Sequence, residues 1–170
     1  MKKLILFACC FFVLTIATVA QRYGIVDTKY ILDKIPEYQE AQKKLDGFSI
    51  QWQKEIDDKQ GILDKMYRDF EAEQVMLSDE LKRKREDELF VREKDLRDLQ
   101  RKRFGFEGDL FKKRQELVKP IQDRVYNAIQ KIAVNRSFDF ILDKSEGITV
   151  IFADPKLDRS EDVLKELGVK

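Results

Sequence analysis

The chain has 170 residues, 43% of them hydrophobic and 38% charged, with 33 basic residues against 32 acidic ones and no histidine. Both cysteines, Cys9 and Cys10, lie in the first ten residues. Beyond them the chain has no thiol nucleophile, no imidazole base, neither of the common transition-metal ligands histidine and cysteine, and no means of forming a disulfide. The near-neutral balance also argues against nucleic acid as a partner.

Met1-Lys2-Lys3 is a short basic start, Leu4 to Val19 is apolar apart from two threonines, and Thr18-Val19-Ala20 ends the run with small residues. This pattern reads as a secretory signal peptide over residues 1–20, cleaved after Ala20. Without Lys2 and Lys3, 31 basic residues remain against 32 acidic ones. A Lys-Lys signal ahead of a cysteine-free chain suggests the bacterial periplasm as its destination.

Arg22-Tyr23-Gly24-Ile25-Val26-Asp27 is a strand candidate, and Thr28 is expected to cap a helical turn from Lys29 to Lys34. Pro36 suits the first position of a long helix. From there apolar residues recur at helical spacing through Tyr38, Ala41, Leu45, Phe48, Trp52, Ile56, Leu63, Met66, Phe70 and Leu77. The series resumes at Leu81, Leu89, Leu96, Leu99, Phe106, Leu110, Leu117 and Ile121. Between the two series Ser78 is a plausible N-cap, and Asp79 and Glu80 suit a first turn. The spacing predicts two long antiparallel helices, the first over Glu37–Met76, joined by a tight turn. A single thin stripe cannot supply a globular core, so the pair should form a projecting rod.

Pro120 predicts a kink or restart, after which Ile121, Val125, Ile129 and Ile132 carry the stripe on. Phe138 to Asp143 and Ile148 to Asp154 are β-rich runs separated by Lys144-Ser145-Glu146-Gly147, and they read as a hairpin. Ser160 is expected to cap a last helix, Glu161 to Leu167, with Gly168 just past its end. The first strand and the hairpin should share one small sheet. That body is small for a lone core and leaves strand edges open, which argues for self-association.

The chemistry-bearing candidates are few. No glycine-rich phosphate loop occurs, the acid pairs fall mostly on the rod, and Asp27, Asp143 and Asp154 at strand ends read as caps. No enzyme activity and no cofactor is expected. Lys82 to Arg114 carries 13 basic and 8 acidic residues, against 4 and 8 over Asp46 to Glu73. Such a face could help the two limbs attract each other, or meet acidic loops, lipopolysaccharide phosphates or anionic lipid. Arg101, Lys102 and Arg103 belong to it. Phe90, Phe104 and Phe111 fall off the best stripe and are candidates for exposed, adhesive contacts. Gly105 and Gly108 flank Phe106 and mark a possible soft point in the arm.

In this order the parts resemble the Skp/OmpH family of periplasmic chaperones. The residues that carry the resemblance are Tyr23 to Leu32, Ile35-Pro36-Glu37-Tyr38, Leu77-Ser78-Asp79-Glu80, Val118-Lys119-Pro120-Ile121, Phe140 to Lys144, Phe152-Ala153-Asp154-Pro155 and Asp162-Val163-Leu164-Lys165. The resemblance implies an α+β fold, with a small β-sheet body that contributes to a trimeric β-barrel core. A long antiparallel helical hairpin is inserted between the first strand and the C-terminal hairpin. The expected division is 21–36 with 115–170 as trimerisation body and 37–114 as tentacle. Ile25, Val26, Phe140, Ile141, Leu142, Val150, Ile151 and Phe152 are the body candidates. The resemblance further implies a homotrimer that holds unfolded outer-membrane β-barrel proteins between its tentacles without ATP. The competing expectation is a periplasmic coiled-coil scaffold with one fixed partner.

Overall fold

The computed structural model describes residues 21–145, 150 and 152–169. The expected signal peptide with its cleavage point, the turn residues Glu146 and Gly147, and Ile148, Thr149 and Ile151 of the expected second hairpin strand lie outside the described residues. The elements in order are β1 (Tyr23–Val26), α1 (Thr28–Asp33), α2 (Pro36–Glu73), α3 (Asp79–Phe104), α4 (Asp109–Leu117), α5 (Lys119–Asn135), β2 (Phe140–Asp143), a 3-10 turn (Pro155–Leu157) and α6 (Ser160–Glu166). Leu32–Val125 forms one compact unit, and the described residues on either side of it form the other.

The helical unit is a hairpin. Pro36 opens α2 with its fixed φ where no helical N–H is needed, and α2 runs 38 residues, roughly 57 Å at 1.5 Å per residue. It ends at Glu73, three residues before the expected Met76, because Gln74 to Leu77 form the turn. Ser78 then caps α3, its Oγ accepting from the N–H of Leu81. Cross-helix contacts pair Trp52 with Phe104, Glu55 with Arg103, and Glu37 with Arg124, so the return limb runs antiparallel to α2. The seam consists of Ala41, Leu45, Trp52, Ile56 and Leu63 on α2 and Leu89 and Leu96 on α3, with Met66, Phe70 and Leu99 half-buried beside them. It is one side chain deep, as the single stripe requires.

Two stripe positions differ from the expected seam. Leu81 is exposed at the turn, and Phe106, expected in the seam, is 97% exposed. The cause is a true break in the return limb. The helix stops at Phe104 and restarts at Asp109, with Glu107 at φ 55, so the seven-residue step from Leu99 to Phe106 is not a helical step. Both glycines are required at this break. A Cβ on Gly105 would lie 2.3 Å from the carbonyl oxygen of Arg101, and one on Gly108 would lie 2.8 Å from that of Lys102. The expected restart near Pro120 is also present: Val118 is the single non-helical residue between α4 and α5.

In the other unit β1 and β2 pair in parallel, in the register Tyr23↔Phe140, Gly24↔Ile141, Ile25↔Leu142 and Val26↔Asp143. Parallel pairing needs a long crossover, and here the whole hairpin unit lies between the strands in sequence. On its other edge Ile25 bridges Asp158. Ile25, Val26, Ile31, Ala128, Ile132, Val163 and Leu164 are buried. Phe152, Ala153 and Asp154, expected to finish a strand, are not in one. Asp154 instead caps the 3-10 turn, accepting from the N–H of Lys156 at 2.9 Å. Two caps differ from expectation. Asp27, not Thr28, caps α1, its Oδ1 accepting from the N–H of Tyr30. Ser160 lies inside α6, and its Oγ accepts from the distant N–H of Asp27. In both cases a contact far along the chain took the side chain that a local rule had assigned to a cap. Gly168 ends α6 at φ 73, with the N–H groups of Gly168 and Val169 bonded back to Lys165 and Leu164, the pattern of a Schellman cap.

Candidate functional site

On the hairpin, the predicted contact residues divide into those tied into the seam and those left at the surface. Trp52 stacks on Phe48 at 5.5 Å and meets the ring of Phe104 edge-on at 6.5 Å. Phe104, 37% exposed, therefore packs one edge on this aromatic cluster and keeps part of its ring at the surface. Arg103 lies 4.9 Å over the Trp52 ring. Its Nη1 donates to Asp109 Oδ2 at 2.7 Å and its Nη2 to Glu55 Oε2 at 2.9 Å. One guanidinium thus spans the break between α3 and α4 and links both to α2. The bond to Asp109 first, and then that to Glu55, hold its pKa above the usual arginine value despite partial burial. With its side chain 21% exposed, Arg103 offers no free cation for a ligand. The sequence signal was available: Arg103 follows Leu89 and Leu96 by steps of seven.

Phe90, 61% exposed, and Phe111 remain at the surface, as do Arg101 and Lys102. They are not alone. Ile50, Ile62, Val91 and Phe106 are exposed along the same limbs, and Val75 and Met76 at the turn. None of these is among the contact residues expected from sequence: Phe106 fits the stripe there, and isolated off-stripe aliphatic residues are common on helix surfaces. Between α2 and α3 lies a cavity of about 450 Å³ whose lining includes Leu63, Met66, Leu96 and Leu99 together with Lys59 and Arg92.

In the sheet unit Ile25 and Val26 are buried. Ile141, Leu142 and Val150 are half-buried, Phe140 and Phe152 are exposed, and Ile151 lies outside the described residues. Phe140 stacks on Tyr23 at 5.7 Å. The polar end of the sheet is a hydrogen-bonded knot. Asp143 accepts from the Thr28 N–H at 3.2 Å, the Ser145 N–H at 2.9 Å and the Thr28 hydroxyl. Burial works to raise the Asp143 carboxyl, but these donors outweigh it and hold it below the usual carboxylate range. Asp158 behaves likewise: burial is outweighed by the Lys144 ammonium at 2.7 Å and by the bonds from Ser160. Every acid in the knot has protein donors. Among the described residues no group of three histidines, cysteines or acids is placed to hold a metal ion. Also among them, no helix is long and apolar enough to cross a membrane.

The profile of the OmpH-like outer membrane protein family matches residues 22–167. No curated protein sequence matches significantly. A crystal structure from Caulobacter crescentus CB15, named as a candidate outer membrane chaperone (OmpH-like), superposes with a TM-score of 0.65 at 12% identity, over 89% of this chain and 86% of that one. At that identity the likeness shows the fold: a small sheet interrupted in sequence by a long helical hairpin. With a family match that spans both units, this chain belongs to the OmpH-like family.

Proposed function

We propose that the chain is an ATP-independent holding chaperone of the periplasm that keeps unfolded outer-membrane β-barrel proteins from aggregating on their way to the outer membrane. The observation that carries this reading is the surface of the hairpin. Ile50, Ile62, Phe90, Val91, Phe106 and Phe111 stand out from it among charges of both signs, while the seam beneath is a single layer. Such a surface offers many weak apolar contacts, which suits a partner without fixed shape. An unfolded barrel strand exposes alternate apolar side chains and unpaired backbone groups, and multiplicity raises its hold without fixing its conformation. Family membership and the name of the Caulobacter structure support the same reading.

In this reading residues 1–20 direct export and are removed after Ala20. The sheet unit associates as a homotrimer through the outer edge of β2, unpaired among the described residues, and the exposed Phe140 and Phe152, and the tentacles, residues 37–114, surround the client. Phe90 and Phe111 touch clients, with Arg101 and Lys102 at hand for acidic loops or for lipopolysaccharide and anionic lipid. Release follows when the client folds into the membrane and its apolar surface is lost. The test is light scattering of a urea-unfolded outer-membrane barrel diluted into buffer with the mature protein at equimolar trimer. Suppressed aggregation is expected. Undiminished scattering at several-fold excess, or a monomeric mass in solution, overturns the reading.

A further inference from the structure

The cavity between α2 and α3 has a cause in the heptad pattern. On α2 the seam series Leu45, Trp52, Lys59, Met66 advances by sevens, and on α3 the series Arg85, Arg92, Leu99 does the same. Lys59 and Arg92 therefore stand where a coiled coil would place apolar knobs. Both are solvent-exposed, so their charged ends reach water and leave a groove, open to solvent, beside the buried Leu63 and Leu96. The hole left is about 450 Å³. Its floor is apolar, formed by Leu63, Met66, Leu96 and Leu99. Its rim carries Lys59, Arg92 and Lys102 beside Glu55, Asp95 and Asp98.

We infer that this seam cavity is a socket for an apolar side chain of an extended, unfolded polypeptide segment, an inference that rests on the holding function proposed above. The rim argues for that occupant. An extended segment that inserts one apolar side chain presents the neighbouring backbone N–H and C=O groups to the rim, still unpaired. Carboxylates accept from the first and cations donate to the second, and the rim supplies both kinds. A lipid acyl chain would fit the floor, but a headgroup of anionic oxygens answers only the three rim cations and leaves the three rim acids without donors, whereas a backbone segment answers both. The exposed Ile62 stands among the lining residues and extends the apolar surface out of the socket.

The test places a benzoylphenylalanine crosslinker at Ile62, and separately at Phe90, which does not line the cavity, in the full mature protein. The probe is a urea-unfolded outer-membrane barrel diluted onto it. Lys59→Leu with Arg92→Leu fills the layer, and Lys59→Gln with Arg92→Gln removes the charges without filling it. The expected result is that the leucine pair lowers crosslinking at Ile62 about tenfold, equivalent to about 1.4 kcal/mol. The same pair leaves crosslinking at Phe90 unchanged and raises the arm's urea midpoint, while the glutamine pair keeps most of the Ile62 crosslink. Equal losses at both positions, an equal loss in the glutamine pair, or crosslinking of Ile62 to added vesicle lipid in place of the client overturns the socket. If aggregation is still suppressed in that case, the holding function stands without it. If the unsubstituted protein fails to suppress aggregation, the holding reading itself falls.

Discussion

Arg103 is the side chain whose removal should tell most about the arm. It makes two charge-assisted bonds, to Asp109 at 2.7 Å and Glu55 at 2.9 Å, with side-chain exposures of 21%, 23% and 38% for the three residues. Partly buried pairs of this kind contribute about 1 kcal/mol each. Lying 4.9 Å over Trp52, the guanidinium adds a cation–π attraction of about 0.5–1 kcal/mol. Its buried Nε has no hydrogen-bond partner among the described residues, which offsets part of that gain. Arg103→Ala should therefore destabilise the hairpin by about 2 kcal/mol. With a urea m-value of about 2 kcal/mol per molar, the unfolding midpoint should fall by about 1 M. Trp52 is the only tryptophan in the chain and lies under the guanidinium, so its fluorescence reads the transition at the site itself. Arg103→Lys keeps the charge but cannot fork between two carboxylates from above the ring, and should recover about half the loss. A midpoint within about 0.2 M of the parent for Arg103→Ala would show that the clamp does not hold the break, and full recovery by lysine would show that its geometry is irrelevant.

Three further outcomes are expected. Gly105→Ala, which sets a Cβ against the Arg101 carbonyl, should cost about 1–3 kcal/mol in the same urea experiment, whereas the solvent-facing Gly61→Ala should stabilise by up to about 1 kcal/mol through helix propensity. Ser160→Ala should destabilise the sheet unit by about 1–3 kcal/mol, because it strips the acceptor from the Asp27 N–H; thermal unfolding by circular dichroism checks it. The sheet unit should also be acid-labile. Asp143 and Asp158 have folded pKa values below their unfolded ones, so their contribution is complete above the unfolded value, about 3.9, and is lost as pH falls through the folded values. Asp143→Asn should flatten stability against pH below about pH 4, and an unchanged slope would contradict the donor knot as its cause.

The sequence determined by itself everything that repeats or punctuates. Steps of three, four and seven from Ala41 to Leu96 specify a two-helix hairpin, because apolar residues on one face of a helix have to meet another such face. Pro36, Ser78, Pro120 and Gly168 mark element boundaries through purely local backbone chemistry, and the structure keeps all four. Only the tertiary structure decided matters that depend on partners far along the chain. Thr28 and Ser160 have the composition of caps, yet each is taken up by a residue more than a hundred positions away. Gly105 and Gly108 read as a soft point, but they open a full break that turns Phe106 outward, and Arg103, whose heptad position shows in sequence but whose two acidic partners do not, bridges it. Lys59 and Arg92 look like ordinary exposed charges until α2 and α3 are laid side by side. The groove they border is a property of the pair, since it exists only where the two helix surfaces diverge.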